Sequence, residues 1–144
     1  TFDLDLIIRR ADRDPWMTLL RELGFSLFHE GPTFLQFNPP PQHHWPVDLM
    51  FVNNETFAKM DCEAVSVQVQ VVAVRVVSLP HLIALKCHAI RHGHARRAIK
   101  DMDDLIRLIE LNKLDLDEPQ VRDTIIRQGS ADLYEKIRNV FGKK

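Results

Sequence analysis

The sequence predicts an α+β fold in which strands and short helices make up the N-terminal half and helices alone the C-terminal half. Three observations carry this. Residues Thr1-Phe2-Asp3-Leu4-Asp5-Leu6-Ile7-Ile8 alternate apolar and polar side chains with a period of two, as a half-buried strand does. Val47 to Val52 is a short apolar run between a proline and an Asn-Asn turn, which reads as a second strand. From Ser78 onward, helix caps and stops recur at helical spacing: Ser78 and Pro80, Gly93, Pro119, Gly129 and Ser130.

Between these anchors the elements follow in order. Arg9 to Arg13 is a polar turn, and Asp14-Pro15 reads as the N-cap and first position of a helix through Leu23, stopped by Gly24. Phe25 to Glu30 and Thr33 to Asn38 read as a hairpin joined at Gly31-Pro32. The stretch from Pro39 to Pro46 holds four prolines and reads as a surface loop, because proline lacks the donor and fixes φ. Glu55 to Met60 is a weak helical segment. Val65 to Val77 is too long for one strand and predicts a tight hairpin near Val71-Val72. Helices are then expected over about 79–92 and 95–111, from Asp117-Glu118-Pro119 to near Gly129, and from the Ser130 cap through Phe141. We expect residues 1–78 to form the core and 79–144 a helical part packed on it, in the same compact unit.

Composition bounds the function. The 144 residues are enough for one domain with a proper core, and 45% hydrophobic with 27% charged residues is ordinary for a globular protein. A net charge of -1 argues against a dominant basic surface for nucleic acid. Cys62 and Cys87 are too few for a disulfide framework, which points to a reducing cytoplasm. No apolar run approaches the roughly 18 residues of a membrane span, and no signal peptide is expected.

The opening strand carries the chemistry. Asp3 and Asp5 project to one face with Cα atoms roughly 6.5 Å apart, close enough for their oxygens to converge on a hard cation. A structural strand has little reason to hold two like charges together without a cation or base between them. Asp48 is a third carboxylate, alone in the apolar strand that follows the proline loop.

The helix opened by Ser78 adds a lysine. Lys86 falls within the stripe of Leu79, Leu82, Ile83, Ala89 and Ile90, so it must snorkel, pair with a carboxylate or face a ligand. Asp101, at the edge of the next helix's stripe, is a partner if the two helices form a hairpin, and Asp104 lies one turn further along. The alternative is that Arg97 with Asp101, and Lys100 with Asp104, are exposed i,i+4 pairs, which is also how Asp103 reads. The basic run from Arg91 to Arg97 is the candidate for contacting phosphates, its alternative being a solvated connection. His88, His92 and His94 invite a zinc reading, but H-E-x-x-H spacing is missing and a solvated face is favoured.

Taken together, these residues resemble the nucleotidyltransferase superfamily. Thr1-x-Asp3-Leu4-Asp5-Leu6 resembles the T-x-D-h-D strand of its motif, and Val47-Asp48-Leu49 the later strand that brings a third carboxylate. Leu79-x-x-Leu82-x-x-x-Lys86, followed by Lys100-Asp101-x-x-Asp104-Leu105, is similar to the AbiEii-like branch, toxins of toxin–antitoxin pairs and their relatives.

The resemblance implies a mixed β-sheet with flanking helices and a helical C-terminal part. It implies transfer of a nucleotidyl group from a nucleoside triphosphate to an acceptor (RNA, protein or small molecule), with a cognate antitoxin as a partner. Asp3, Asp5 and Asp48 would hold Mg²⁺ or Mn²⁺. Lys86 would neutralise phosphate, with Thr1 and Arg97 also on the nucleotide, and Asp101 would orient Lys86 or assist the acceptor. The family's Gly-Ser turn belongs before Thr1 and is not within these residues, so a non-catalytic or truncated binding module is the alternative expectation. An aminoglycoside-type enzyme with a small-molecule acceptor is another.

Overall fold

The computed structural model describes residues 3–43, 45–93 and 95–142. The chain divides into two compact units, Thr1–Glu63 and Ala64–Lys144.

The first unit is built on a four-stranded mixed sheet. Its elements are β1 (Leu4–Arg9), a single 3-10 turn over Arg10–Asp12, α1 (Arg13–Glu22), β2 (Ser26–Glu30), β3 (Phe34–Asn38), β4 (Val47–Val52) and α2 (Asn54–Cys62). The strand order is β1-β4-β3-β2, with β1 and β4 parallel and the other neighbours antiparallel. The parallel pair is continued past the strand by Leu4 N–H donating to the Pro46 carbonyl at 2.9 Å.

The period-two pattern decides which face is buried. In β4, Val47, Leu49 and Phe51 are buried while Asp48, Met50 and Val52 are only half-buried. Register carries this pattern across the sheet, so Ile8 lies beside Phe51 and Leu35 beside Leu49. Met17 and Leu20 of α1 join that core, with Trp16, Phe25 and Leu27 packed at its edge.

The helix starts earlier than the proline suggested. Arg13 is its first residue and Asp12 its N-cap, which leaves Pro15 in the first turn, where its missing N–H has no intrahelical role. Gly24 follows with φ +83, the left-handed conformation that a non-glycine residue resists. Asn53 caps α2 by accepting from Thr56 N–H at 2.7 Å, so the Asn-Asn pair starts a helix rather than merely turning the chain.

The second unit begins with the valine-rich segment. β5 (Val65–Val69) and β6 (Val72–Val76) form a two-stranded antiparallel sheet around Gln70-Val71, with Gln70 at φ +54. Valine pairs with valine at three of its five register positions. The helices follow as α3 (Leu79–His92), α4 (Ala95–Leu111), α5 (Pro119–Gln128) and α6 (Ala131–Phe141). Ile83, Cys87, Leu105, Ile109, Ile125, Leu133, Tyr134 and Ile137 form their core. Ser130 caps α6, its hydroxyl accepting from Leu133 N–H at 3.0 Å. Burial in this core pushes the Cys87 thiol up to about 12, so it behaves as an apolar side chain.

Candidate functional site

The sheet sets three polar side chains in one row. Asp5 of β1 is the register partner of Asp48 of β4, and Asp48 is in turn the partner of Gln36 of β3. Adjacent strands lie about 4.8 Å apart, so the two carboxylates project side by side from the face opposite the apolar core. The Gln36 amide donates from Nε2 to Asp48 Oδ2 at 2.8 Å. Asp5 is exposed, whereas Asp48 and Gln36 are half-buried. Asp3 is exposed and stands one position ahead of the strand.

This donor set suits a hard cation. Carboxylate and amide oxygens are the ligands of Mg²⁺, which takes one or two carboxylates and fills its octahedron with water and substrate phosphates. Among the described residues no group of three or more His, Cys, Asp and Glu side chains is arranged to hold a metal. Asp5 and Asp48 therefore fit a shared ion, not a cage made of protein alone.

In the helical unit, α3 and α4 form a hairpin that brings three of the expected residues together. Lys86 Nζ donates to Asp101 Oδ1 at 2.9 Å and to Asp104 Oδ2 at 2.7 Å. Asp101 is buried, its side chain 4% exposed, and its second oxygen Oδ2 has no hydrogen-bond partner among the described residues. Arg97 Nε lies 3.8 Å from that oxygen. Burial pulls the Lys86 ammonium towards the neutral form. The hydrogen bonds it donates to Asp104 and Asp101, with the charges of both, outweigh it and hold its pKa above the ordinary lysine value. The same hydrogen bond, from the other side, holds Asp104 below the usual carboxylate range.

Asp104 thus departs from the exposed i,i+4 pair with Lys100, because the hairpin turns its carboxylate onto Lys86. Asp103 is exposed, as expected. The His88 and His92 rings lie against one another, tilted by 44° with centroids 4.4 Å apart, and both residues are exposed. Burial, followed by the charges of His92 and Arg91, lowers the His88 pKa. Thr1 and His94 lie outside the described residues. A groove of about 600 Å³ between α3 and α5 is lined by Leu79, Ile83, Val121, His81, Thr124 and Arg127, away from Lys86.

Gln36 is the residue that pattern reading passed over. Its signal was present in outline, a polar position within the apolar run Phe34-Leu35-Gln36-Phe37. Its partner could be named only from the register, because strand order is a long-range property.

Comparison with known proteins bears on the fold alone. No family model matches the sequence, and no curated protein matches it. Among solved structures, the chain is similar to the crystal structure of an antigenic nucleotidyltransferase-like protein from Paracoccidioides brasiliensis. The match has a TM-score of 0.52 at 17% identity and covers 99% of this chain and 73% of that one. The architecture of this chain is that of a nucleotidyltransferase-like fold.

Proposed function

We propose that the protein is a metal-dependent nucleotidyltransferase that moves a nucleoside monophosphate from a nucleoside triphosphate to an acceptor hydroxyl. The observation that carries the reading is the register pairing of Asp5 with Asp48 in a nucleotidyltransferase-like sheet. Asp5 and Asp48 would hold Mg²⁺ or Mn²⁺, with Asp3 beside them, and the ion would supply charge neutralisation and Lewis acidity at the phosphates. Lys86 would place a fixed positive charge for phosphate, with Arg97 and Thr1 as further phosphate contacts. Asp101, closed in beneath Lys86, orients the ammonium, and Asp104 shares it.

The AbiEii-like branch, toxin activity, a cognate antitoxin and a cytoplasmic setting belong to the same proposal. Its support is that Lys86, Asp101 and Asp104, three of the four charged positions quoted for the branch, meet in one cluster. No helix among the described residues is long and apolar enough to cross a membrane. A second reading, a module that binds nucleotide without turnover, is favoured by the gathering of two carboxylates where catalysis on two metals calls for more.

Isothermal titration of ATP and of GTP in the presence of Mg²⁺ tests the site. Binding is expected to need the metal and to be lost in the Asp5→Asn, Asp48→Asn double variant. Metal-dependent binding that survives the double substitution rejects the assignment. Incubation with radiolabelled triphosphate and total RNA or protein then separates transfer from binding without turnover.

A further inference from the structure

Asp48 sits between two neighbours of different kinds, Asp5 on β1 and Gln36 on β3. From the structure we infer that Gln36 is a positioning residue, one that fixes the Asp48 carboxylate for a divalent cation while leaving its charge uncompensated. The inference rests on the metal-site reading above and extends it to a residue that carries no charge.

The geometry supplies the first half. Donation from Gln36 Nε2 to Asp48 Oδ2 at 2.8 Å is a well-formed hydrogen bond between half-buried groups on paired strands. It engages one carboxylate oxygen and so restricts rotation about the Asp48 side-chain torsions. Oδ1 remains as the oxygen not engaged by Gln36. Outer partners of this kind orient a metal's ligands, and their loss typically weakens metal binding by about 10–100-fold.

The chemistry supplies the second half. An arginine or lysine at position 36 could make the same hydrogen bond, but it would bring a full positive charge against Asp48 and compete directly with a divalent ion. A glutamate would add a repelling carboxylate. The neutral amide is the donor that fixes Asp48 without either effect. The helical unit shows the contrast, since there the carboxylates of Asp101 and Asp104 are held by an ammonium.

The test is Mn²⁺ binding to the full chain, followed by electron paramagnetic resonance of the free ion, with thermal melting alongside. Wild type is expected to bind Mn²⁺, and Asp48→Asn to lose it. Gln36→Met, which keeps volume and removes the donor, is expected to weaken Mn²⁺ about 10–100-fold with a native-like melt. Gln36→Lys is the discriminating variant, because it restores a hydrogen bond to Asp48 but adds charge. It is expected to melt at or above wild type and to abolish Mn²⁺ binding. Wild-type Mn²⁺ affinity in both Gln36 variants, with Asp48→Asn still deficient, overturns the role of Gln36 and leaves the metal site standing. No Mn²⁺ binding by wild type, or undiminished binding by Asp48→Asn, overturns the site and this inference together.

Discussion

Asp48 and Asp101 are both aspartates withdrawn from bulk water, and each has one oxygen engaged, but the engaging groups differ. Asp48 accepts from the neutral amide of Gln36 on a neighbouring strand. Asp101 accepts from the ammonium of Lys86, which also binds Asp104. A half-buried carboxylate engaged by a neutral donor has not been given a cation by that donor. A buried carboxylate with an ammonium has been supplied with its cation by the fold. In the function proposed above, the sheet row would recruit a cation and the helical cluster would hold the Lys86 ammonium in a fixed place.

The largest effect should come from breaking the helical cluster. Lys86→Met removes the ammonium from between Asp101 and Asp104 and leaves Asp101, 4% exposed, with the half-exposed Arg97 guanidinium 3.8 Å away as its remaining cation. Removing one partner of a buried pair costs about 3 kcal/mol or more, read by urea denaturation followed by circular dichroism. Adding Asp101→Leu to that variant should recover much of the loss, since an apolar replacement of the pair carries no stranded charge. A loss below about 1 kcal/mol in Lys86→Met would mean that Asp101 is reached by solvent, and the contrast with the sheet would fall.

The sheet row should behave in the opposite way. Asp48→Asn removes the charge but keeps an oxygen that can accept from Gln36, so its effect on stability should stay within about 1 kcal/mol by the same denaturation. Its effect on metal-dependent nucleotide binding should be near complete. A large stability loss here would show that the carboxylate has a structural cation partner and would erase the distinction between the two regions.

Both regions were legible in the sequence, to different depths. Strand periodicity is local, so it placed Asp48 on the face opposite Val47, Leu49 and Phe51, and the structure has them so. Caps and stops are equally local, and α3, α5 and α6 fall close to where Ser78, Pro119 and Ser130 put them. Pairing was not local. That Asp5 lies beside Asp48 depends on β1 and β4 being parallel neighbours, and that Gln36 completes the row depends on β3 coming next. Neither follows from any spacing within one strand. Asp104 shows the same limit in a helix. Its i,i+4 relation to Lys100 was visible, but the Lys86 ammonium that binds it comes from the neighbouring helix across the hairpin. The α1 start was missed because proline is accommodated anywhere in a first helical turn.

Acid titration should give the smallest of these effects and distinguishes Asp104 from its surroundings. The hydrogen bond from Lys86 lowers the folded-state pKa of Asp104, so its stabilising contribution is present above its unfolded value, about 3.9, and is lost as pH falls through the lower folded value. Lys86 has the opposite sign: its raised folded value means its contribution is present below about 10.4 and is lost only as pH rises through the folded value. His88, lowered mainly by burial, contributes a separate loss that begins as pH falls past its unfolded value of about 6.5. Unfolding free energy measured from pH 7 to pH 3 should therefore fall in two stages, one below about 6.5 and one below about 4. Asp104→Asn should remove part of the second stage and leave the first, and His88→Gln should do the reverse. If Asp104→Asn leaves the profile below pH 4 unchanged, then the ammonium is not held by Asp104 in solution and Asp101 alone anchors it.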